Sequence, residues 1–387
     1  MCAVQISEVP AQPQAAPGSL RFVMISGYHD YRSKRRANLH FITDELARRG
    51  SVFFLSLRYS YLTRLTEDPR HALWGRANRL EQVGKVACYL WRTPIHACRL
   101  PRLLAPLERA LFSAFANRLP RLARNAIATA DTVFIESGIA IVHLPLIRRL
   151  APRAQIVYLA SDALGAINQA ESIKAAFRRH AHLIDSARLP SPLLRDDVPA
   201  SIPCYFIPHG VEKERFASIG PSPYPAGTRN AVSVGSMLFD PTFFRVAAPM
   251  FPDITFHIIG SGHAEAGPPN VIYLPEMPFA ETLPYIKHAD FAVAPYDEGV
   301  ESYLTHTSMK LMQYGYLGVP AVCPDMVASG EHGRFGYKCG SPSSIAEAIK
   351  GACGSFRSLA PTKVLDWSEV VERLLRPRAL VVANDRT

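Results

Sequence analysis

The sequence predicts an α/β protein built from two successive domains, and three observations support this fold class. The chain has 387 residues, which exceeds the size of one ordinary domain. Short apolar runs that end in small polar residues alternate with stretches of helical periodicity. This alternation begins again beyond Cys204, so the same architecture is expected twice.

The first series opens with the buried-strand run RFVMISG (21–27). A helix follows in ANLHFITDELARRG (37–50) and ends at Gly50, as a glycine at a helix C-terminus predicts. Further strands of the same kind are SVFFLSL (51–57), DTVFIES (131–137) and QIVYLAS (155–161). Buried parallel strands have this composition, and ligands bind at their carboxyl ends.

The second series repeats this pattern beyond a plausible hinge at Pro208-His209-Gly210. Its strand runs are YFIP (205–208), AVSVGS (231–236), ITFHIIGSG (254–262), NVIYLPE (270–276), DFAVAPY (290–296) and PAVCP (320–324). Two Rossmann-like domains are therefore predicted. The expected divisions are a mobile N-terminal tail (1–20) that is not a signal peptide, a first domain (21–207), a second domain (208–365), and a C-terminal helix and tail (366–387) that return to the first domain.

Charge is distributed unevenly along the chain. The net charge is +10, yet residues 1–130 contain 20 Lys and Arg against 8 Asp and Glu, and the remainder contains 23 against 25. The basic first third lacks a nucleic-acid recognition motif, so no nucleic-acid partner is expected. Seven scattered cysteines without a CxxC pair indicate a reducing compartment and no metal site.

The stretch THTSMKLMQYGYLGVPAV (305–322) predicts an anion site. Its helix places Lys310 and Gln313 on one face near the positive helix end, after Ser308. A surface lysine that snorkels to solvent is the alternative. Gly235-Ser236 at a strand end favours ligand binding, because a glycine lets the backbone approach a ligand closely. A tight turn without a ligand is the alternative interpretation. Neither GxGxxG nor a P-loop is present.

The motif S-x-K-x-x-Q-Y followed by G-x-P-A-V (308–322) resembles the donor-binding helix of GT-B glycosyltransferases. Motifs along nearly the whole chain resemble the membrane-associated glucuronosyltransferases of xanthan-type exopolysaccharide assembly. These are RRANLHFITDELARRG (35–50), FFLSLRYS (53–60), FIESGIA (134–140), YLASDALGAIN (158–168), VGSMLFDPTFF (234–244), FHIIGSG (256–262), YIKHADFAVAPY (285–296), SMKLMQYGYLGVPAVCP (308–324) and RFGY (334–337).

This resemblance implies a GT-B fold, with two Rossmann-like domains that face each other across a cleft. It also implies inverting, metal-independent transfer of glucuronic acid from UDP-glucuronate to a mannose of a polyprenyl-diphosphate-linked oligosaccharide. No cofactor or metal is expected. The expected donor-binding residues are Gly235, Ser236, Met237, Glu276, Met277, Tyr296, Ser308, Met309, Lys310 and Gln313.

Inversion needs a general base for the acceptor hydroxyl, and Asp162 is expected in that role. It follows the strand run 155–161, and it matches the base that the resemblance implies. A helix N-cap is its other possible role. Glu136 is the rival carboxylate, preferred as a support for the acceptor. The expected acceptor-binding residues are His29, Asp30, Arg35 and Glu136.

The basic segment from Lys85 to Ala130 has apolar residues at helical spacing between Leu100 and Phe115. Such a segment suits an anionic membrane surface, and a core-packing helix with a solvated face is the alternative. The expected location is the cytoplasmic face of the plasma membrane, as a peripheral protein. The rival functions are another GT-B-scaffold enzyme with a different UDP-sugar (a hexosyltransferase or UDP-sugar 2-epimerase) and a non-catalytic nucleotide-sugar binding module.

Overall fold

The structure is a computed structural model that describes residues 19–34, 36–66, 68–167, 169–263, 267–328, 330–355 and 359–377. The described chain divides into two compact units. The first unit runs to Leu159 and also includes the segment that follows Ile167 and ends at Ser186. The second unit comprises Ala160–Ile167 and the described chain from Ala187 onward.

The first unit alternates strands and helices as its sequence predicts. Its elements are β1 (Leu20–Ser26), α1 (Asn38–Arg49), β2 (Gly50–Ser60), β3 (Leu80–Val83), β4 (Val86–Thr93), α2 (Ala105–Ala116), α3 (Arg121–Ala128), β5 (Thr132–Glu136), α4 (Leu144–Leu150), β6 (Gln155–Leu159) and α5 (Glu171–His180). Short 3-10 helices lie at Tyr61–Leu65, Pro69–Arg76, Arg102–Leu104, Ile139–His143 and Ala181–Leu183.

The sheet of this unit brings polar strand ends to one edge. Its strands lie in the order β3, β4, β2, β1, β5, β6. All these neighbours are parallel except β3 and β4, which form an antiparallel pair. Side chains of β1 and β5 are buried over most of their length, as two-sided covering of a parallel sheet requires. Ser26 and Glu136 therefore end neighbouring strands at the same edge.

The second unit repeats this alternation. Its elements are β7 (Ser186–Leu189), β8 (Cys204–Phe206), β9 (Gly210–Val211), α6 (Lys213–Phe216), β10 (Arg229–Val234), α7 (Thr242–Met250), β11 (Ile254–Ile259), β12 (Val271–Leu274), α8 (Phe279–His288), β13 (Phe291–Val293), α9 (Leu304–Thr307), α10 (Met309–Tyr316), β14 (Ala321–Pro324), α11 (Asp325–Ala328), β15 (Arg334–Tyr337), α12 (Pro342–Gly354), β16 (Leu365–Asp366) and α13 (Trp367–Leu375). A 3-10 helix spans Pro192–Asp197.

A parallel six-stranded sheet forms the centre of the second unit, in the order β12, β11, β10, β13, β14, β15. Phe243 and Phe244 of α7 and Ile349 of α12 pack against its strands in one buried cluster. The order changes direction at β10 and β13, and ligands of open α/β sheets bind at such a point. The predicted α/β class with parallel sheets is confirmed.

The C-terminal helix α13 belongs to the second unit. Strand β16 pairs with β9, and the buried Trp367 contacts the ring of His209 at 5.9 Å. The sequence predicts instead that residues 366–387 return to the first domain, and residues 378–387 lie outside the described part. The predicted domain limits stay a prediction, and contacts divide the chain earlier, at Ala187.

The basic segment 85–130 is more divided than its sequence suggests. It contains strand β4 and the two helices α2 and α3. The helical spacing between Leu100 and Phe115 falls on the 3-10 helix Arg102–Leu104 and on α2, whereas β4 is an extended strand whose first half is largely buried. Among the described helices, none combines the length and the apolar composition that crossing a membrane requires.

Candidate active site

Helix α10 begins where Ser308 closes its first turn. The Ser308 hydroxyl accepts a hydrogen bond from the backbone N–H of Leu311, which satisfies one of the free amides at the helix start. The same hydroxyl is bonded to the hydroxyl of Tyr296, which is fully buried. The helix start is therefore fixed to the end of strand β13.

Lys310 lies in this first turn, and its ammonium does not reach solvent. Its Nζ atom is buried and has no hydrogen-bond partner in the described residues. It lies 5.1 Å from the centre of the Tyr296 ring, within the range of a cation–π contact. Burial lowers the pKa of Lys310 to about 8, because the charged form loses its hydration. Gln313 lies three residues further along, half-buried.

The loop after β10 packs against the same tyrosine. Gly235 has φ of 87°, a left-handed conformation that favours glycine, and its N–H donates to the carbonyl of Ile259. The N–H of Val234 donates to the Tyr314 hydroxyl of α10 at 3.3 Å. Phe239 forms an isolated bridge with Tyr296. The loop that carries Gly235 and Ser236 thus meets α10 and the end of β13.

The other expected donor residues lie at neighbouring strand ends or on α10. Gly260 follows β11 with φ of 65°, a conformation that favours glycine, and a Cβ placed on it would be in van der Waals contact with Glu276, 3.4 Å from its Cα. Glu276 is exposed and Met277 is half-buried. Met237 is 52% exposed, and Met309 is half-buried in the first turn of α10. The side chain of Met237 is thus accessible to a ligand, and those of Met277 and Met309 are partly accessible.

Asp162 lies in the short segment that groups with the second unit. The hydroxyl of Tyr303 donates to its Oδ1 atom at 3.2 Å. Burial and the charge of Asp162 raise the pKa of Tyr303, with smaller contributions from Glu301 and Asp197. The phenol therefore stays protonated and remains a donor. Tyr303 immediately precedes α9, which leads into α10, so the carboxylate is linked to the segment that carries Lys310.

A second constellation lies at the carboxyl edge of the first unit. The Ser26 hydroxyl donates to Oε2 of Glu136, which is 2% exposed. The other carboxylate oxygen, Oε1, lies 3.5 Å from Nε2 of His29, whose side chain is 33% exposed. The backbone N–H of His29 donates to Ser26. The structure thus brings together the predicted His29 and Glu136, with the imidazole facing outward.

Asp30 is placed differently from its two predicted companions. Its carboxylate is fully buried and accepts hydrogen bonds from Arg32, at 2.8 Å to each oxygen, and from Ser56. Burial would raise the pKa of Asp30, but the bonds and charge of Arg32 outweigh it and lower that pKa. The Asp30 side chain supports the loop and is not exposed to a ligand. The fourth predicted acceptor residue, Arg35, lies outside the described residues.

Several residues of these sites escaped the sequence analysis. Ser26, Tyr303 and Tyr314 contribute hydroxyls whose partners are distant in sequence. Arg334 donates from Nη1 to the carbonyls of Thr305 and Val327 and so braces the approach to α10. Only RFGY (334–337), within the resemblance, pointed to this arginine. The sequence carries no local signal for the three hydroxyls.

The described residues contain no group of three or more His, Cys, Asp or Glu side chains placed to hold a metal ion. At the candidate donor site, Lys310 and the amides at the start of α10 supply positive charge.

Known proteins resemble this chain in sequence and in fold. Residues 24–190 match the family described as glucuronosyltransferase GumK, N-terminal domain. A UDP-glucuronate:glycolipid 2-beta-glucuronosyltransferase of Xanthomonas campestris pv. campestris is 43% identical over 379 residues, which cover 97% of this chain and 94% of that protein.

Solved structures agree with this architecture. A UDP-forming α,α-trehalose-phosphate synthase from Burkholderia vietnamiensis superimposes with a TM-score of 0.57 at 13% identity, over 95% of this chain and 97% of its own. Anabaena Alr3699/HepE, in complex with UDP and glucose, gives a TM-score of 0.56 at 11% identity, over 93% and 99%. The GT-B fold is confirmed. With 43% identity across nearly its full length, the chain belongs to the GumK family of glucuronosyltransferases.

Proposed function

We propose that this protein transfers glucuronic acid from UDP-glucuronate to a mannose of a polyprenyl-diphosphate-linked oligosaccharide during exopolysaccharide assembly. The observation that carries the donor half of this proposal is Lys310. Its buried ammonium has no hydrogen-bond partner in the described residues. A diphosphate at the N-terminus of α10 would supply the missing negative charge.

The donor is proposed to bind entirely on the second unit. The Gly235-Ser236 backbone and the first amides of α10 would cradle the diphosphate beside Lys310. The exposed Glu276 and the half-buried Gln313 suit hydrogen bonds to ribose or uracil. The methionines at positions 237, 277 and 309 would pack against the nucleoside, since flexible thioethers adapt to flat ligands.

The reaction is proposed to invert the anomeric centre in a single displacement. The acceptor hydroxyl oxygen attacks the anomeric carbon as the bond to UDP breaks, and Asp162 takes the hydroxyl proton. Negative charge then grows on the leaving diphosphate, where Lys310 would stabilise it. This arrangement needs no metal, because the chain itself supplies the cation. The hydrogen bond from Tyr303 orients the Asp162 carboxylate.

The acceptor is proposed to contact the first unit. The outward-facing imidazole of His29, held against Glu136, would bond the acceptor sugar, and Asp30 would act only by holding its loop. Exposed leucines around α2 support contact with an anionic membrane: Leu103 is 95% exposed and Leu107 50%. Exposed Arg102 and Arg109 flank them. We propose a peripheral location on the cytoplasmic face of the plasma membrane, which these exposed leucines and arginines support as far as membrane contact is concerned.

A transfer assay with lipid-linked oligosaccharide tests the proposal. Labelled UDP-glucuronate and UDP-glucose are offered separately, with and without EDTA, to the wild type and to Asp162→Asn. We expect EDTA-resistant incorporation from UDP-glucuronate alone, which falls at least about a thousandfold in Asp162→Asn while UDP binding persists. The neighbouring-carboxylate control is Asp196→Asn, which should transfer normally.

Other outcomes would redirect the proposal. Incorporation from UDP-glucose would replace the donor, and loss of activity in EDTA would replace the metal-free mechanism. Tight UDP binding without any transfer would favour a UDP-sugar 2-epimerase or a binding module.

A further inference from the structure

Several arginines of the first unit form ion pairs with carboxylates, and three that contact aromatic rings do not, within the described chain. Arg32, Arg70 and Arg148 each form an ion pair with an aspartate, at 2.7 to 2.8 Å. No carboxylate among the described residues pairs with the other three, Arg58, Arg64 and Arg92. Their positive charge is therefore available to an external anion.

Aromatic rings hold two of these guanidinium groups in place. The guanidinium carbons of Arg64 and Arg92 lie 4.6 and 4.7 Å from the ring centre of Trp74. Tyr61, which is 57% exposed, contacts Trp74 edge-on at 5.3 Å and Arg92 at 5.7 Å. Stacking restrains the guanidinium planes and leaves N–H groups at their edges for hydrogen bonds.

Arg58 is directed by an irregularity of strand β2. Its φ is 55°, which is uncommon for a residue with a side chain. The register between β2 and β4 shifts between Ser56 and Tyr59 at the same place. Bulges of this kind redirect side chains next to functional sites. Here the guanidinium lies 5.0 Å from the ring centre of Tyr28, which directly precedes His29.

These groups follow one another along the carboxyl edge of the sheet. His29 follows β1, Glu136 ends β5, Arg58 lies on β2, and Arg92 lies on β4. Strands are about 4.8 Å apart, so the β4 end lies about 10 Å from that of β1. Exposed apolar side chains accompany the arginines at this side: Leu62 (37%), Leu65 (83%) and Ile95 (62%).

We propose that Arg58, Arg64 and Arg92 bind the diphosphate that joins the acceptor sugars to their polyprenyl chain. This inference rests on the proposed function and assigns a binding site to the diphosphate end of the same acceptor. His29 would meet the sugar, the three arginines the diphosphate, and the exposed Leu62, Leu65 and Ile95, which neighbour Arg64 and Arg92 in sequence, the start of the lipid. Two or three guanidinium groups suit a diphosphate, because each offers paired N–H donors.

The basic residues just after β1 fit this role less well. Arg32 is occupied by Asp30 and Glu81, and Arg36 pairs with Asp44. Their guanidinium groups would have to leave existing ion pairs to bind phosphate. The three arginines on Tyr28 and Trp74 give up no ion pair with the described residues.

Acceptor kinetics test the proposal with Arg64→Gln/Arg92→Gln. The matched control is Arg149→Gln/Arg153→Gln, two exposed arginines on the same unit that remove the same charge. Each variant receives the lipid-diphosphate acceptor and a soluble glycoside with the same sugars but no diphosphate. We expect the ratio of kcat/KM for the two acceptors to fall at least tenfold in the test variant and to stay within twofold in the control. An unchanged ratio in the test variant overturns the proposal.

Vesicle binding decides the proposal independently of transfer. The first probe is a phosphatidylcholine vesicle that contains polyprenyl diphosphate. The second is a phosphatidylcholine vesicle that contains enough phosphatidylglycerol to carry the same net charge. Loss of binding confined to the diphosphate vesicles, at least tenfold, supports the site even if the wild type transfers no sugar. An equal loss on both vesicle types shows a general anionic surface and overturns the assignment. Equal melting temperatures of all variants are required, so that misfolding does not imitate either loss.

Discussion

At the scale of single residues, the buried ammonium of Lys310 should make donor binding depend on pH. Its pKa is lowered to about 8 by burial. The donor-free protein therefore loses this charge as the pH rises through that value, whereas UDP-glucuronate does not titrate there. We expect affinity for UDP-glucuronate to weaken about tenfold between pH 7 and pH 9. Isothermal titration in buffers of different ionisation enthalpy should also detect proton uptake on binding above pH 7.

Two variants separate this effect from a general pH dependence. Lys310→Met should bind UDP-glucuronate weakly at pH 7 and show little further change up to pH 9. Lys350→Met, at an exposed position of α12, should behave as the wild type. A wild-type affinity that stays flat from pH 7 to pH 9 would remove Lys310 from the diphosphate site.

The predictability of single residues follows from how local their chemistry is. Ser308 and Lys310 were identified because helix start, hydroxyl and ammonium lie within one turn of sequence. Tyr303 was missed, since its partner Asp162 is 141 residues away. Asp30 was expected at the acceptor, but a salt bridge with Arg32, two positions along the chain, holds it inside. Sequence order alone does not distinguish a functional carboxylate from a structural one.

At the scale of elements, the surface around α2 should contribute to membrane binding. The helix packs through Phe112 and Phe115, of which the second stacks on Trp91 at 5.3 Å. Leu107 of α2 and Leu103 in the 3-10 helix just before it are exposed. Leu103→Gln/Leu107→Gln should weaken binding to phosphatidylglycerol vesicles at least fivefold, because inserting a leucine is worth about 1–3 kcal/mol. Cosedimentation measures this change.

The matched control for α2 uses exposed apolar residues of the second unit. Leu193 and Ile272 are 51% and 41% exposed, so Leu193→Gln/Ile272→Gln removes exposed apolar surface away from α2, though less of it than Leu103→Gln/Leu107→Gln removes. We expect vesicle binding to remain at the wild-type level in this control. An equal decrease in both double variants would show that α2 has no special role in membrane contact.

Elements with strong periodicity could be read from the sequence, and mixed segments could not. The run 21–27 corresponds to β1, and the helix 37–50 corresponds to α1, each within one or two residues. Both are long and uniformly patterned. The hairpin of β3 and β4 was not foreseen, although β4 is mostly apolar, because residues 85–130 were read together as one basic segment.

At the scale of the whole molecule, donor binding should slow hydrogen exchange in the second unit and not in the first. The proposed donor contacts all lie in the second unit, which has its own core around Phe243 and Ile349. A ligand that binds only the native form suppresses the local opening of the elements that it touches. We expect UDP to slow hydrogen exchange at residues 234–240 and 308–316 and to leave β1 and β5 unchanged. Mass spectrometry of the exchanged peptides measures this.

A uniform slowing across both units would contradict the assignment of the donor to the second unit. The control is Lys310→Met at the same UDP concentration, in which protection of 308–316 should be reduced. The double alternation of strands and helices was predictable from the sequence. The division of contacts was not, because segment 160–167 leaves the first series and groups with the second.

The grouping of residues 160–167 with the second unit affects how chimeras of this enzyme with its relatives should be built. Asp162, the residue proposed as base, is hydrogen-bonded to Tyr303, which precedes the helices that lead to Lys310. A chimera made by one crossover near position 187 would graft a foreign 160–167 onto this donor unit and break that pairing. A chimera that retains residues 160–167 together with 187–377 would keep Asp162 and helix α10 from the same parent protein. Exchange of the remaining chain could then change the acceptor preference while the proposed base and donor site stay the same.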